Sequence, residues 1–186
     1  MCCRGLRVVP KANQGYIATF FTLIPLILNA STPVALQKGD QAPAFSLFSS
    51  DKQEVSLDDY RGKNLVVLFF PMAFTSVCTN ELCAIRDNLA DYHGLNADVV
   101  GISVDSPFTL AKFKETERYN FPLLSDFNKE TSAAYGALYD NFVFGMKGVA
   151  KRSAFVIDRD GKIQYAEVLD NAGEQPNYEA IKQALA

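Results

Sequence analysis

The sequence predicts an α/β fold in which a mixed central β-sheet carries helices on both faces. Two continuous apolar runs, NLVVLFF at residues 64–70 and ADVVGISV at residues 97–104, have the β-branched and aromatic composition of strands buried on both sides. A segment with helical spacing follows each run, and two strands around Asp160-Gly161 predict a hairpin near the end of the chain. Strands that alternate with helices and end in a hairpin require a mixed sheet.

The helix after the first strand is predicted from apolar residues at helical spacing: Leu82, Ile85, Leu89 and Tyr92. Gly94 then supplies a stop signal, so these residues predict one amphipathic helix. After the second strand, Ser106 and Pro107 predict an N-cap and a first-turn proline for a helix that runs to about Tyr119. The remaining predicted elements are a strand in FPLLSD, a helix in KETSAAYGAL that ends near Gly136, hairpin strands in SAFVID and KIQYAEV, and a last helix in NYEAIKQALA.

Composition narrows the class of protein. The chain has 186 residues, of which 48% are hydrophobic and 21% charged, which suits one globular domain with a substantial core. A net charge of −3, with its basic residues scattered among acids, argues against nucleic-acid binding. The four cysteines lack the spacing of a disulfide scaffold or of a zinc site, and His93 is the only histidine. We therefore expect no metal site.

Residues 1–35 read as an N-terminal extension, and residues 36–186 as the domain. Basic residues precede the apolar run YIATFFTLIPLILNA, which has the length of a signal-peptide core but is too short for a comfortable membrane span. The following NASTPVALQ offers no clean cleavage site, and a natural start at Val34 is the alternative. We expect a cytoplasmic protein, or an exported one if the segment is a genuine signal.

Cys78 lies where the first apolar strand gives way to a helix. Thr75 or Ser76 can cap that helix, which puts the cysteine in the first helical turn, where the helix dipole favours a thiolate. Pro71 ends the strand and fixes the shape of the loop between them. A reactive thiol and a small buried apolar residue are both compatible with this position.

The motif around Cys78 resembles the peroxiredoxin signature. Pro71, Thr75 and Cys78 in PMAFTSVC match the pattern P-x-x-x-T-x-x-C. The resemblance extends from about Leu36 to Ala186 through GDQAPAF, FPLLSD and KRSAFVIDRDGKI, and it is closest to the bacterioferritin-comigratory and alkyl hydroperoxide reductase E types.

This resemblance implies a thioredoxin-like fold and thiol-dependent reduction of hydrogen peroxide and organic hydroperoxides without a cofactor. It implies that Cys78 is the peroxidatic cysteine and passes through a sulfenic acid, and that Thr75 and Arg152 bind the reacting atoms. Glu81 either orients Arg152 or is a plain first-turn carboxylate, and Lys151 is expected to be solvated. Expected partners are a thioredoxin-like or low-molecular-weight thiol reductant and, as a possibility within the family, a second copy of the chain. The alternative function is a peroxide sensor or chaperone-like binding protein on the same fold.

Cys83 follows Cys78 by five residues, the spacing of a resolving cysteine in some members of the family. Along a helix that spacing separates two residues by about 7.5 Å axially and roughly 140° around the axis, so an intact helix cannot hold the disulfide. If Cys83 resolves Cys78, the first helical turns must unwind. The alternative is that Cys83 is a buried core residue. Phe69, Phe70 and Phe74 are likewise expected to be core rather than substrate-binding residues.

Overall fold

A computed structural model describes residues 35–186. These residues belong to one compact unit. The predicted N-terminal extension and its signal-like run lie outside them. Within them, no helix combines the length and the apolar character needed to cross a membrane.

The described residues contain nine strands and five α-helices. In chain order they are β1 (Ser46–Ser49), β2 (Glu54–Ser56), β3 (Asn64–Phe69), α1 (Ser76–Asp87), α2 (Leu89–Gly94), β4 (Ala97–Ser103), α3 (Pro107–Glu117), β5 (Leu123–Ser125), α4 (Glu130–Ala134), β6 (Leu138–Tyr139), β7 (Val149–Ala150), β8 (Ser153–Ile157), β9 (Ile163–Val168) and α5 (Tyr178–Leu185).

Seven of these strands form one mixed sheet in the order β2-β1-β5-β4-β3-β8-β9. Strands β3, β4 and β5 are parallel to one another, whereas β8 and β9 form the predicted antiparallel hairpin beside β3. Strands β6 and β7 form a separate two-stranded ribbon. The mixed α/β sheet predicted from the sequence is therefore confirmed.

The two faces of the sheet carry separate cores, because successive side chains of a strand point to opposite faces. On one face, Val66, Leu68 and Phe70 pack with apolar residues of α1, α2, α3 and α5. On the other, Phe69 packs with Tyr135, next to α4, and with residues of the amino-terminal segment and β7. Strand β3 is thus central and buried from Leu65 to Phe69, as its apolar sequence predicts.

The prediction of one helix from Cys78 to Gly94 is wrong. The chain forms two helices, α1 and α2, separated by Asn88, whose φ of −109° and ψ of 13° are not helical. The Asn88 side chain donates a hydrogen bond to the carbonyl of Ala84 at 2.8 Å, a local bond that competes with helix continuation. The apolar periodicity continues across the break, since Leu89 and Tyr92 on α2 are also buried.

Candidate active site

The site is built at the carboxyl end of β3, where the loop of residues 70–75 leads into α1. Pro71 is buried and follows the strand closely, as predicted. Phe74 has a φ of +62°, a left-handed conformation that is costly for a bulky residue. Its ring packs on Phe113 of α3 at 4.8 Å between centroids, and this contact helps to hold the strained turn.

Asp105, a residue the sequence analysis did not single out, fixes this loop from the neighbouring strand. Its carboxylate accepts hydrogen bonds from the Ala73 amide at 2.8 Å and from the Ser103 hydroxyl at 2.9 Å, while its carbonyl accepts one from Ser125 at 2.6 Å. Because β3, β4 and β5 are parallel, their carboxyl ends lie side by side, and the segment after β4 reaches the loop after β3. The position of Asp105, at the carboxyl end of the strand beside β3, was the signal in the sequence that could have identified it.

Thr75 is the N-cap residue of α1, which settles the choice between Thr75 and Ser76. Its side chain does not cap the helix; instead its hydroxyl donates to the carbonyl of Met72 at 2.9 Å. Thr75 is exposed, one turn before Cys78, and this bond orients its hydroxyl in the loop.

Cys78 lies in the first turn of α1 and is 1% exposed. The Nη2 group of Arg152 donates a hydrogen bond to its sulfur at 3.3 Å. Arg152, the residue immediately before β8, is also buried, so the thiol faces a permanent cation away from bulk water. A guanidinium and a helix N-terminus therefore both direct positive charge at this one sulfur.

Glu81, on α1, forms a buried ion pair with Arg152 and accepts from its Nη1 group. The structure thus resolves the alternative left open by the sequence, since Glu81 orients Arg152 rather than facing solvent. The other carboxylate oxygen of Glu81 is buried and has no hydrogen-bond partner within residues 35–186. Burial raises the pKa of Glu81 to about 7, against the opposing effect of Arg152.

Arg152 stays charged in this setting. Burial lowers its pKa, and the charges and hydrogen bonds of Glu81 and Cys78 more than offset that effect, so that the pKa lies above its ordinary value. The remaining contact of its guanidinium is the carbonyl of Ala172, which accepts from Nη2 at 2.9 Å and from Nε at 3.3 Å. This role of Ala172 was not predicted from the sequence, because a backbone carbonyl can accept a hydrogen bond whatever the residue type.

Cys83, the proposed resolving cysteine, is half-buried on α1 and packs against the core. Tyr119 lies near Cys83, and its buried hydroxyl has no hydrogen-bond partner among residues 35–186. Burial raises the pKa of this phenol above its usual value. Arg86, whose guanidinium pairs with the Asp87 carboxylate at 2.8 Å, is a second neighbour of Cys83. Neither cysteine is in a disulfide. The structure therefore separates the two thiols into different surroundings.

The structure also places the phenylalanines, the histidine and the lysine for which predictions were made from the sequence. Phe69 and Phe70 are buried core residues, whereas Phe74 is 52% exposed. His93 has an exposed side chain, as expected, although it lies on α2 rather than on the helix of Cys78. Lys151 is not simply solvated, because its ammonium pairs with Asp170 at 2.7 Å and lies 5.5 Å from the centre of the Tyr139 ring.

A groove of about 520 Å³ lies elsewhere, beside β1 and the segment after β5. It is lined by residues such as Phe45, Pro107 and Phe127 and includes none of the groups around Cys78. The buried thiol, cation and carboxylate, rather than cavity size, identify the reactive site.

Comparison with known proteins agrees with this chemistry. The AhpC/TSA family model matches residues 38–166. A Mycobacterium tuberculosis protein provisionally named a peroxiredoxin is 46% identical over 134 residues, covering 71% of this chain and 85% of the relative. The mitochondrial thioredoxin-dependent peroxide reductase of Drosophila melanogaster is 33% identical over 176 residues, covering 89% and 73% of the two chains. The crystal structure of peroxidoxin BcpB from M. tuberculosis superposes with a TM-score of 0.71 at 29% identity, covering 81% of this chain and 96% of that one.

Proposed function

Because the chain belongs to the AhpC/TSA family, the peroxiredoxins, we propose that it is a thiol-dependent peroxidase whose peroxidatic residue is Cys78. Its substrates are hydrogen peroxide and organic hydroperoxides. The observation that carries the assignment of Cys78 is the 3.3 Å contact between its buried sulfur and the guanidinium of Arg152. The comparisons favour this function over the peroxide sensor or chaperone-like protein that the sequence left as an alternative.

In the first step the Cys78 thiolate attacks the terminal oxygen of the peroxide. A sulfur–oxygen bond forms as the O–O bond breaks, the leaving oxygen takes a proton to become water or an alcohol, and the sulfur is oxidised to a sulfenic acid. Arg152 stabilises the thiolate and the negative charge that develops on the oxygens. In this proposal the Thr75 hydroxyl turns from the Met72 carbonyl to the substrate and binds it beside the sulfur.

In the second step Cys83 resolves the sulfenic acid. Its sulfur attacks the Cys78 sulfur, the S–O bond breaks, the departing hydroxide takes the Cys83 proton to form water, and a Cys78–Cys83 disulfide remains. Because the intact helix keeps the two residues apart, α1 must unwind between them before this step. Local unfolding of this kind is feasible because different segments of a protein open with different free energies.

The cycle closes when an external thiol reduces the disulfide by exchange. The reductant class that fits is a thioredoxin-like dithiol protein, and the name of the Drosophila relative states thioredoxin dependence for that protein. A low-molecular-weight thiol is the other candidate.

We also infer that the chain forms a homodimer. Three phenylalanines near the large groove are more than half exposed: Phe48, Phe108 and Phe127. Exposed aromatic clusters of this kind mark interaction surfaces. Sedimentation of the wild type and of Phe108→Ser tests this inference: we expect a dimer that the substitution weakens, whereas a monomeric wild type would contradict it.

Steady-state consumption of peroxide tests the proposed function. Hydrogen peroxide and an organic hydroperoxide are supplied separately, each with a thioredoxin system or with a small thiol as the electron donor. We expect repeated turnover with at least one donor. A single stoichiometric oxidation without turnover would instead support the sensor.

A further inference from the structure

Arg152 is held from two sides, and the second side is remote in sequence. Glu81 pairs with Nη1, while the carbonyl of Ala172 accepts from both Nε and Nη2. The same Nη2 group donates to the sulfur of Cys78. The direction in which the guanidinium points therefore depends on where the Ala172 carbonyl lies.

Ala172 belongs to the loop of residues 169–173 that follows β9. A backbone hydrogen bond of 2.9 Å, from the Leu169 amide to the Arg152 carbonyl, attaches the start of this loop to Arg152 itself, just before β8. Beyond that point the Tyr139 hydroxyl donates to the carbonyl of Asp170 at 3.0 Å, with a longer contact of 3.4 Å to that of Leu169. The loop is thus anchored to the ribbon of β6 and β7.

A second side-chain anchor is weaker. Lys151 pairs with the Asp170 carboxylate at 2.7 Å, but the Asp170 side chain is 93% exposed. Exposed ion pairs contribute little to stability because water screens them. Tyr139 is better packed: its half-buried ring lies against Phe142 with 5.0 Å between centroids. Its hydroxyl is therefore the principal side-chain contact that fixes the loop.

We propose that Tyr139 is a positioning residue for the peroxidase reaction: its hydroxyl holds the loop of residues 169–173 so that the Ala172 carbonyl aims Arg152 at Cys78. This inference rests on the proposed role of Cys78. Tyr139 touches neither the thiol nor the substrate. It acts by preorganising a long, flexible side chain, and small displacements of a charge-stabilising group lower the rate of the chemical step substantially.

The test compares Tyr139→Phe with Tyr135→Phe in the full chain. Both substitutions remove one phenolic hydroxyl that donates to a backbone carbonyl, but Tyr135 is buried in the other core and donates to Pro43. The measurement is the second-order rate constant for oxidation of Cys78 by hydrogen peroxide, followed by stopped flow. We expect a loss of about five- to tenfold for Tyr139→Phe, as for a lost positioning bond, and a change of less than about twofold for Tyr135→Phe.

The same substitution in an Arg152→Lys background separates positioning from general destabilisation. With the planar guanidinium gone, Tyr139→Phe is expected to cause no further loss, because the two residues act through one contact. An unchanged rate for Tyr139→Phe alone, or an equal loss in both backgrounds, would overturn the inference.

Alkylation of Cys78 by iodoacetamide, read by peptide mass spectrometry, reports the same Arg152 contact without peroxide. Tyr139→Phe should slow it at neutral pH by a similar factor, and an unchanged rate would count against the inference. If the wild type failed to turn over peroxide, the proposed function would be contradicted. The ratio of the alkylation rates of Tyr139→Phe and the wild type would still test whether Tyr139 positions Arg152.

Discussion

Cys78 and Cys83 lie on the same helix, five residues apart, in contrasting surroundings. Cys78 is fixed by the end of a central strand and by a buried arginine whose carboxylate partner is also on α1. Cys83 packs at the edge of the core, near the Tyr119 phenol and the partly exposed guanidinium of Arg86. Their spacing in the sequence does not reveal this difference in surroundings.

The contrast shows that the helix supplies position, whereas tertiary contacts supply reactivity. Any first-turn thiol benefits from the helix dipole, worth typically 0.3–1 kcal/mol, or roughly a few-fold in an equilibrium. A buried guanidinium adds a directed, charge-assisted hydrogen bond. We therefore assign the chemistry with peroxide to Cys78 and only the later exchange step to Cys83.

The largest effect is expected from Cys78→Ser. This nearly isosteric change removes the thiolate, so peroxide turnover should disappear while the fold is kept. Turnover is measured by peroxide consumption, with circular dichroism as the check on folding. More than a trace of remaining activity would show that the reactive thiol had been assigned to the wrong cysteine.

Arg152→Lys should come next, with a loss of about 100-fold in the rate of sulfenic acid formation. Lysine keeps a positive charge but cannot contact Glu81, Ala172 and Cys78 at once through a planar fork. The rate constant for the first step, from stopped flow, is the relevant measurement. An unchanged rate would mean that charge alone, without geometry, distinguishes the surroundings of Cys78.

Cys83→Ser should leave the first step within about twofold of the wild type, because Cys83 is absent from the contacts around Arg152. Turnover with a thioredoxin-like donor should fall by roughly tenfold or more as the sulfenic acid accumulates. Trapping with a dimedone reagent measures that species. Undiminished turnover with the protein donor would remove Cys83 from the cycle.

Glu81→Gln concerns the stability of the fold rather than the rate of the reaction. Because the pKa of Glu81 is raised from its ordinary 4.5 to about 7 in the folded state, the native protein binds more protons than the unfolded one between these values. The free energy of unfolding of the wild type, relative to Glu81→Gln, should therefore fall as pH rises from about 4.5 to 7, by on the order of 2 kcal/mol. Urea denaturation at several pH values measures the difference. A difference independent of pH would show that Arg152 keeps Glu81 ionised throughout.

Much of the fold was predictable because it is encoded locally. The apolar run of β3, the hairpin at Asp160-Gly161 and the capping residues of α3 each carry their signal within a few positions, and all are present. Strands β1 and β2 were missed because they are short and partly exposed, so that their residues show no clean alternation. The break at Asn88 was hidden because the apolar spacing continues through it.

The sequence predicted only those parts of the candidate site whose role depends on the type of side chain at a motif position. The family motif located Cys78 and Thr75, and the resemblance located Arg152, which the structure brings to the sulfur. The Ala172 carbonyl and the Tyr139 hydroxyl that holds its loop depend on how distant segments meet in the fold. Sequence spacing carries no such information.

The most direct test of the contrast between the two cysteines is the product of oxidation by one equivalent of hydrogen peroxide. No lysine or arginine lies between Lys63 and Arg86, so one tryptic peptide contains both Cys78 and Cys83. In the absence of added thiol, mass spectrometry should show this peptide lighter by two hydrogens, and the helical circular dichroism should decrease as α1 unwinds. A sulfenic acid that persists at Cys78, a cross-link to Cys2 or Cys3, or a mixed disulfide formed only with an added thiol would contradict the assignment of Cys83 as the resolving residue.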